Sequence, residues 1–296
     1  MDPIEQFSEA LADRLAAAAV FTVGIEGLPR LRGGILFRPD AVIVSEQVLP
    51  PDAEALTVRR GGSAVAARVA GRDPATNIAV LRLETPLDGV PPPSAALPRA
   101  GNLVLVAGAD AHGAPTGRLA MVHAVGPEWH SMAGGRIDAL IRLDCRLGAD
   151  EGGPVLSLSG GLIGMSTSGP RRRTIVIPAA TLDRVAGPLL AEGHLPRGWL
   201  GIGLQPVMIP DAFRQSTGRE TGLMVVSLSP GAPAEAAGIL PGDIVLTIDS
   251  HPVARPRALA AALGPERIGQ TVPLTLLRAG ALHTLSATIA ARPAEP

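Results

Sequence analysis

Gly33-Gly34-Ile35-Leu36-Phe37-Arg38-Pro39-Asp40-Ala41-Val42-Ile43-Val44-Ser45 holds two short apolar runs around an Arg-Pro-Asp break. β-Branched and aromatic residues suit a pleated, half-buried surface, and Pro beside Asp favours a turn, so the stretch predicts a β-hairpin. The same pattern repeats outward from it. FTVGI (21–25) precedes the hairpin, and ALTVRR (55–60), AVAARVAG (64–71) and IAVLRL (78–83) follow it. LVLVAG (103–108), RLAMVHAVG (118–126), DALIRLD (138–144), PVLSL (154–158), LIGMSTS (162–168) and TIVIP (174–178) continue the series. About a dozen short strands without intervening helices argue for an antiparallel barrel or sandwich assembly. Pro92, Pro93 and Pro98 mark the long connection between its two halves.

Helical patterns flank this region. Residues 7–19 place Phe7, Ala10, Leu11 and Leu15 at helical spacing, with Ser8 as the expected N-cap. Thr181–Glu192 reads as a second helix, capped by Thr181, kinked by Pro188 and stopped by Gly193. The domain boundaries expected are a helical segment at 1–19, a β domain at 20–190, a linker at 191–197 and a smaller α+β domain at 198–292. The last has strands at 199–204, 222–228, 243–249, 271–278 and 282–289, with helical pieces around Ala232–Ala237 and Arg257–Leu263. The fold class is mostly β.

Composition removes several functions. Of 296 residues, 46% are apolar and 18% charged, which is a globular balance rather than a disordered one. The formal charge is −1, with 26 basic residues, all Arg, against 27 acids, so no global field draws the chain to nucleic acid or an anionic membrane. Tyr is absent and aromatics are 2%, which leaves little to stack on bases. Cys145 is the single cysteine, so no internal disulfide or CxxC site forms. Met1–Glu5 lacks a basic leader region, and no run reaches the ~18 apolar residues of a membrane span. On the residues alone the expectation is a chain with no export signal and no membrane span.

The smaller domain resembles a PDZ domain of the HtrA (high-temperature-requirement A) type. Arg197-Gly198-Trp199-Leu200-Gly201-Ile202, Ser229-Pro230-Gly231-Ala232-Pro233-Ala234 and Ala237-Gly238-Ile239-Leu240-Pro241-Gly242-Asp243-Ile244-Val245 carry the resemblance, in order. A Leu200-Gly201-Ile202 turn would present backbone N–H groups to a peptide carboxylate, and Gly203-Leu204 would pair with the peptide by strand addition. Leu200, Ile202, Leu204, Leu259 and Leu263 would line the pocket for an apolar last residue.

The larger domain is similar to the two-lobed, trypsin-like domain of the same DegP-like proteases. Gly71–Leu81 (GRDPATNIAVL) matches the stretch holding the family's catalytic Asp, Gly152-Gly153-Pro154-Val155-Leu156 the tail of the nucleophile loop, and Leu162-Ile163-Gly164-Met165 a strand of the specificity pocket. The resemblance puts Gln47 at the catalytic His position, Asn77 at the Asp and Glu151 at the Ser. A serine protease needs a hydroxyl nucleophile, an imidazole and an orienting carboxylate, and none stands there. The loop from Asp144 to Glu151 reads about one residue short. Asp150 and Glu151 set two acids where donors should meet an oxyanion; at ~4 Å and a dielectric of ~20 each would oppose it by about 4 kcal/mol.

The reading is therefore a pseudoprotease. It would bind protein C-termini or unfolded polypeptides as a scaffold, chaperone-like factor or regulator of an active protease partner in protein quality control. No cofactor or metal is expected. The resemblance implies homotrimers formed through the segment Phe7–Phe21, and a family that usually works in the periplasm. Two alternatives are a hydrolase with relocated catalytic residues and a cation-binding protein using Asp150, Glu151 and His112. Arg171-Arg172-Arg173 reads as a solvated basic loop rather than a phosphate site.

Overall fold

The runs on either side of Arg38-Pro39-Asp40 pair as a hairpin, and the barrel grows from it. In the computed structural model β1 (Thr22–Glu26), β2 (Arg32–Arg38), β3 (Ala41–Ser45), β4 (Ala55–Arg60), β5 (Ser63–Asp73) and β6 (Ile78–Leu83) close in the order β1-β2-β3-β6-β5-β4. A second closed barrel has the order β11-β14-β13-β12-β7-β8. It comprises β7 (Leu103–Ala109), β8 (Pro115–Gly126), β11 (Leu140–Leu143), β12 (Pro154–Ser157), β13 (Leu162–Ser168) and β14 (Thr174–Pro178). Between β8 and β11, β9 (Trp129–His130) and β10 (Arg136–Ile137) form a separate short pair. The structure describes residues 2–255, 258–259 and 262–293. All neighbouring strands in both barrels run antiparallel.

Helix α1 (Pro3–Ala18) starts earlier than Ser8, because Asp2 accepts the Ile4 N–H (3.3 Å) and Pro3 fills the first turn, where its missing N–H costs nothing. Helix α2 (Ala179–Glu192) has Pro178 at its N-cap, and Thr181 lies inside it. The Thr181 hydroxyl donates to Asp138 Oδ2 (2.6 Å) instead of capping. Pro188 does not split the helix, which ends at Gly193 with φ 78°. Helix α2 packs across β5 and β6 of the first barrel and β13 of the second, burying Leu182, Val185 and Leu189. A fully buried side chain of this size contributes about 1.5–3 kcal/mol, so this helix is a principal tie between the barrels.

By contacts the chain divides into residues 1–131 with 136–195, and 132–135 with 196–296. The linker expected at 191–197 is thus shorter, since α2 runs through Glu192. The second unit contains β15 (Gly198–Trp199), β16 (Ile202–Met208), α3 (Asp211–Thr217), β17 (Thr221–Leu228), α4 (Pro233–Ala236), β18 (Ile244–Ile248), β19 (His251–Pro252), β20 (Thr271–Arg278), β21 (Ala281–Thr288) and β22 (Ala290–Ala291). Its main sheet has the order β16-β17-β18-β20-β21, with β16 an outer strand. Of the helical piece expected at 257–263, Arg257, Ala260 and Ala261 lie outside the described residues, while Ala258, Leu259 and Ala262 are helical. Asp243, 1% exposed, receives the Arg278 guanidinium on both carboxylate oxygens (2.8 and 2.7 Å).

Candidate functional site

Gln47 sits in a single 3-10 turn, Glu46–Val48, directly after β3. Arg72 fixes that turn from β5. Its guanidinium pairs with Glu46 (3.1 Å) and donates to the carbonyls of Leu49, Pro50 and Pro51. Asn77 follows a turn closed by Asp73, whose carboxylate accepts from the Ala75 and Thr76 N–H groups and the Thr76 hydroxyl. Asn77 itself has φ 57°, a left-handed conformation that Asn tolerates better than most residues. Its amide therefore points back at the end of β3.

The three positions singled out from the sequence meet. Gln47 Nε2 donates to Glu151 Oε1 (3.0 Å) and lies 2.9 Å from both Thr167 Oγ1 and the Ser168 carbonyl. Asn77 Oδ1 accepts the Gln47 backbone N–H (2.8 Å) and the Ser45 hydroxyl (3.2 Å), and Asn77 Nδ2 donates to Thr167 Oγ1 (2.7 Å). Thr167 Oγ1, already an acceptor, has its proton left for Ser45 Oγ at 3.1 Å. Asn77, Thr167 and Ser45 thus close a ring of hydrogen bonds in which both hydroxyl protons have an acceptor. Glu151 is 8% exposed. Its Oε1 also accepts the Ser168 N–H (3.1 Å), and Oε2 faces Arg32 Nε at 3.5 Å. An amide has no basicity near neutral pH, and both side-chain polar atoms of Asn77 already have hydrogen-bond partners.

The loop before β12 is turned inward. The N–H groups of Gly148, Glu151, Gly152 and Gly153 donate to Asp150 Oδ1, Gly148 O, Ser166 O and Asp150 O respectively. Gly153 must be glycine, since a Cβ there would lie 2.0 Å from the Ala107 carbonyl oxygen. Asp150 does not face the cleft as expected. It is 6% exposed and bonds Arg118 Nε of β8 at 3.1 Å, and that hydrogen bond, with the charge behind it, raises the Arg118 guanidinium above its usual range. The expected repulsion from Asp150 is therefore largely neutralised, and the Glu151 N–H is instead withdrawn to Gly148 O (3.3 Å).

The expectation of an acidic cleft is also corrected. A cavity of about 630 Å³ opens over Gln47 and Glu151, and Arg30, Arg32, Arg146 and Arg172 line it. Both carboxylates have guanidinium partners, and His112 lies exposed in the Asp110–Ala114 turn, held through its backbone N–H. Among the described residues no group of three or more His, Cys, Asp or Glu could hold a metal. His123 and His130 are exposed on β8 and β9. Cys145 is half-buried, and burial pushes its thiol up.

In the second unit Gly201 is left-handed (φ 73°), and a Cβ on it would lie 2.1 Å from Ala232 Cβ. Its carbonyl accepts the Ser229 N–H (2.8 Å). Gly203 and Leu204 follow Ile202 in the outer strand β16, which among the described residues pairs with β17 alone. Leu200, Leu259 and Leu263, expected to line a pocket, are 1%, 8% and 9% exposed and belong to the core, with Ile202 and Leu204 packed against it. Sequence reading did not single out Thr167, Ser45 or Arg32. Thr167 lies one residue from Ser166 and Ser168 on a strand with no motif to mark it, and a hydroxyl that serves only as a hub leaves no spacing signal.

Residues 33–165 match the model of a trypsin-like peptidase domain, and residues 199–289 that of a PDZ domain. The chain is 29% identical over 278 residues to a probable periplasmic serine endoprotease DegP-like of Rhizobium meliloti, covering 90% of this chain and 55% of that protein. The counterpart in Brucella suis is 29% identical over 271 residues, covering 88% and 52%. The chain thus spans about half the length of the curated relatives it matches. Among solved structures, the HtrA-type protease AlgW with decapeptide aligns at TM-score 0.71 and 22% identity, over 96% of this chain and 99% of that one. The serine endoprotease from Yersinia pestis aligns at 0.69 and 24%, over 96% and 98%. Among the described residues no helix is long and apolar enough to cross a membrane.

Proposed function

Because the chain belongs to the HtrA family, whose members join a trypsin-like domain to a PDZ domain, we propose that it is a pseudoprotease that works by binding polypeptides. One observation carries this reading. Gln47, which the resemblance sets at the His position, is hydrogen-bonded to Asn77 and Glu151, which it sets at the Asp and Ser positions, and to Thr167, while the Glu151 N–H donates to Gly148 O. Acyl transfer requires a nucleophile, a base and free backbone donors aimed at the oxyanion. Unfolded casein and a serine-reactive phosphonate are the test. Neither cleavage nor labelling is expected, and turnover abolished by Glu151→Ala would overturn the reading.

The ligands are protein C-termini or unfolded chains, taken by strand addition at β16 after the Gly201 turn. The outer position of β16 and the left-handed Gly201 support that mode. The biological role is a scaffold, a chaperone-like factor or a regulator of an active protease. A homotrimer built on the N-terminal segment is supported by exposed apolar side chains, Ile4 and Phe7 on α1 and Leu119 and Met121 on β8.

A further inference from the structure

We infer that the vestigial cleft docks an acidic, extended polypeptide segment whose carboxylates alternate with apolar side chains. The inference rests on the pseudoprotease reading of the same cleft and names the chemistry of its occupant.

The cleft gathers positive charge in a chain whose formal net charge is −1. Arg30 comes from the connection of β1 and β2, Arg32 from the start of β2, Arg146 from the loop before β12, and Arg172 from the turn before β14. Arg30, Arg146 and Arg172 are exposed and have no ion-pair partner among the described residues. Arg32 has one, Glu151, whose carboxylate is shared with Gln47 and the Ser168 N–H. Exposed guanidinium groups ordinarily scatter over a surface. Four facing one cavity, with a single carboxylate among them, form a field that selects anions. Arg172 reaches the cleft from consecutive left-handed residues, Arg171 (φ 58°) and Arg172 (φ 57°), in a turn closed by the Gly169 N–H on the Arg173 carbonyl. Such backbone strain in non-glycine residues persists where the surroundings enforce it, and it concentrates at binding segments.

The lining distinguishes a peptide from a compact anion. Leu28, Pro29, Val48 and Leu147 share the walls with the four arginines. The guanidiniums come from three separate segments, and the Glu151 carboxylate lies at the floor among them. A phosphate needs donors converging on one point and would meet Glu151 there. An extended chain can pass over the floor, give spaced carboxylates to the planar guanidinium forks and lay its apolar side chains on Leu28, Val48 and Leu147.

The probe is an acetylated, C-terminally amidated, fluorescein-labelled peptide alternating glutamate with valine and alanine, added to the full chain. Amidation removes the carboxylate that the second unit would capture. Anisotropy should show binding that weakens as salt rises to near-physiological strength, and the glutamine analogue should not bind. Arg146→Glu and Arg172→Glu should each weaken binding about five- to tenfold. Arg171→Glu, beside Arg172 but off the cleft lining, should change it by less than about twofold at that salt. Circular dichroism establishes that the variants fold. No binding, equal binding of the glutamine analogue, an equal loss in Arg171→Glu, or full displacement by inorganic phosphate at matched ionic strength overturns the inference. Cleavage of a bound peptide would overturn the pseudoprotease reading instead, so the two failures are distinguishable.

Discussion

Gln47 Nε2 and Glu151 Oε1 are hydrogen-bonded at 3.0 Å, so the two residues that the resemblance sets at a protease's base and nucleophile positions are tied to each other. The bond joins the end of β3 in one barrel to the loop before β12 in the other.

Restoring the triad expected from the resemblance by Gln47→His, Asn77→Asp and Glu151→Ser should not restore full protease activity. The reversion leaves the Arg118–Asp150 bond and the inward-turned loop in place, so the residue 151 N–H still donates to Gly148 O. Loss of one oxyanion donor alone costs about 100- to 1,000-fold in rate. Casein turnover by the triple variant at the level of an active relative would refute this, and adding Asp150→Asn should then matter little.

Thr167→Val should destabilise the first unit by about 2 kcal/mol, since it leaves the Asn77 and Gln47 amide donors short of their shared acceptor. That corresponds to a fall of roughly 4–8 °C in Tm for a unit of this size, read by calorimetry. Thr167→Ser keeps the oxygen and should recover most of the loss.

Gly201→Ala should abolish capture of C-terminal peptides. The new Cβ collides with Ala232 and sits on a left-handed backbone, so the turn must open. The unaltered chain should bind an apolar-ended free-acid peptide at about micromolar Kd, and amidation should weaken it ten- to a hundredfold, about 1.5–3 kcal/mol. Equal affinity for free-acid and amidated peptides, measured by fluorescence anisotropy, would remove the carboxylate turn from the account. Leu259 is a poor probe here, because a charge at a core position would unfold the unit as well as block it.

The second unit should lose stability in acid through Asp243. Burial pushes its carboxyl up, but the Arg278 guanidinium and the Leu240 N–H outweigh this and hold it below the usual carboxylate range. A carboxyl whose folded value is depressed contributes fully above its unfolded value, ~3.9, and the contribution fades as pH falls through the folded one. Asp243→Asn should therefore cost about 2 kcal/mol at neutral pH and flatten the pH dependence below about 4. Hydrogen exchange of β18 and β20 peptides in urea across that range measures both effects.

The barrels were legible because strand runs such as IAVLRL and TIVIP read out period and burial together, and they match β6 and β14 residue for residue. That Gln47, Asn77 and Glu151 lie together was legible because their neighbours keep motif spacing, and the hydrogen bonds of Gln47 to Asn77 and Glu151 join them. The sign of the cleft could not be read. Asp150 and Glu151 are adjacent in the chain, yet Arg118 and Arg32, 32 and 119 positions away from Asp150 and Glu151 respectively, neutralise them through folding alone. Helix α3 escaped for a local reason, since DAFRQST is short and largely polar and shows no helical period. Leu259 and Leu263 looked like pocket residues because an apolar helix face reads the same whether it meets a ligand or a core.

Strand β16 reaches Met208 but carries Pro206, exposed and lacking an N–H. The open edge therefore offers an uninterrupted backbone only from Ile202 to Gln205, which makes the proline a ruler. A guest chain laid along this edge would be gripped for about four residues and then released. Discrimination would fall on its final few side chains, and whatever precedes them would be free to belong to any protein at all.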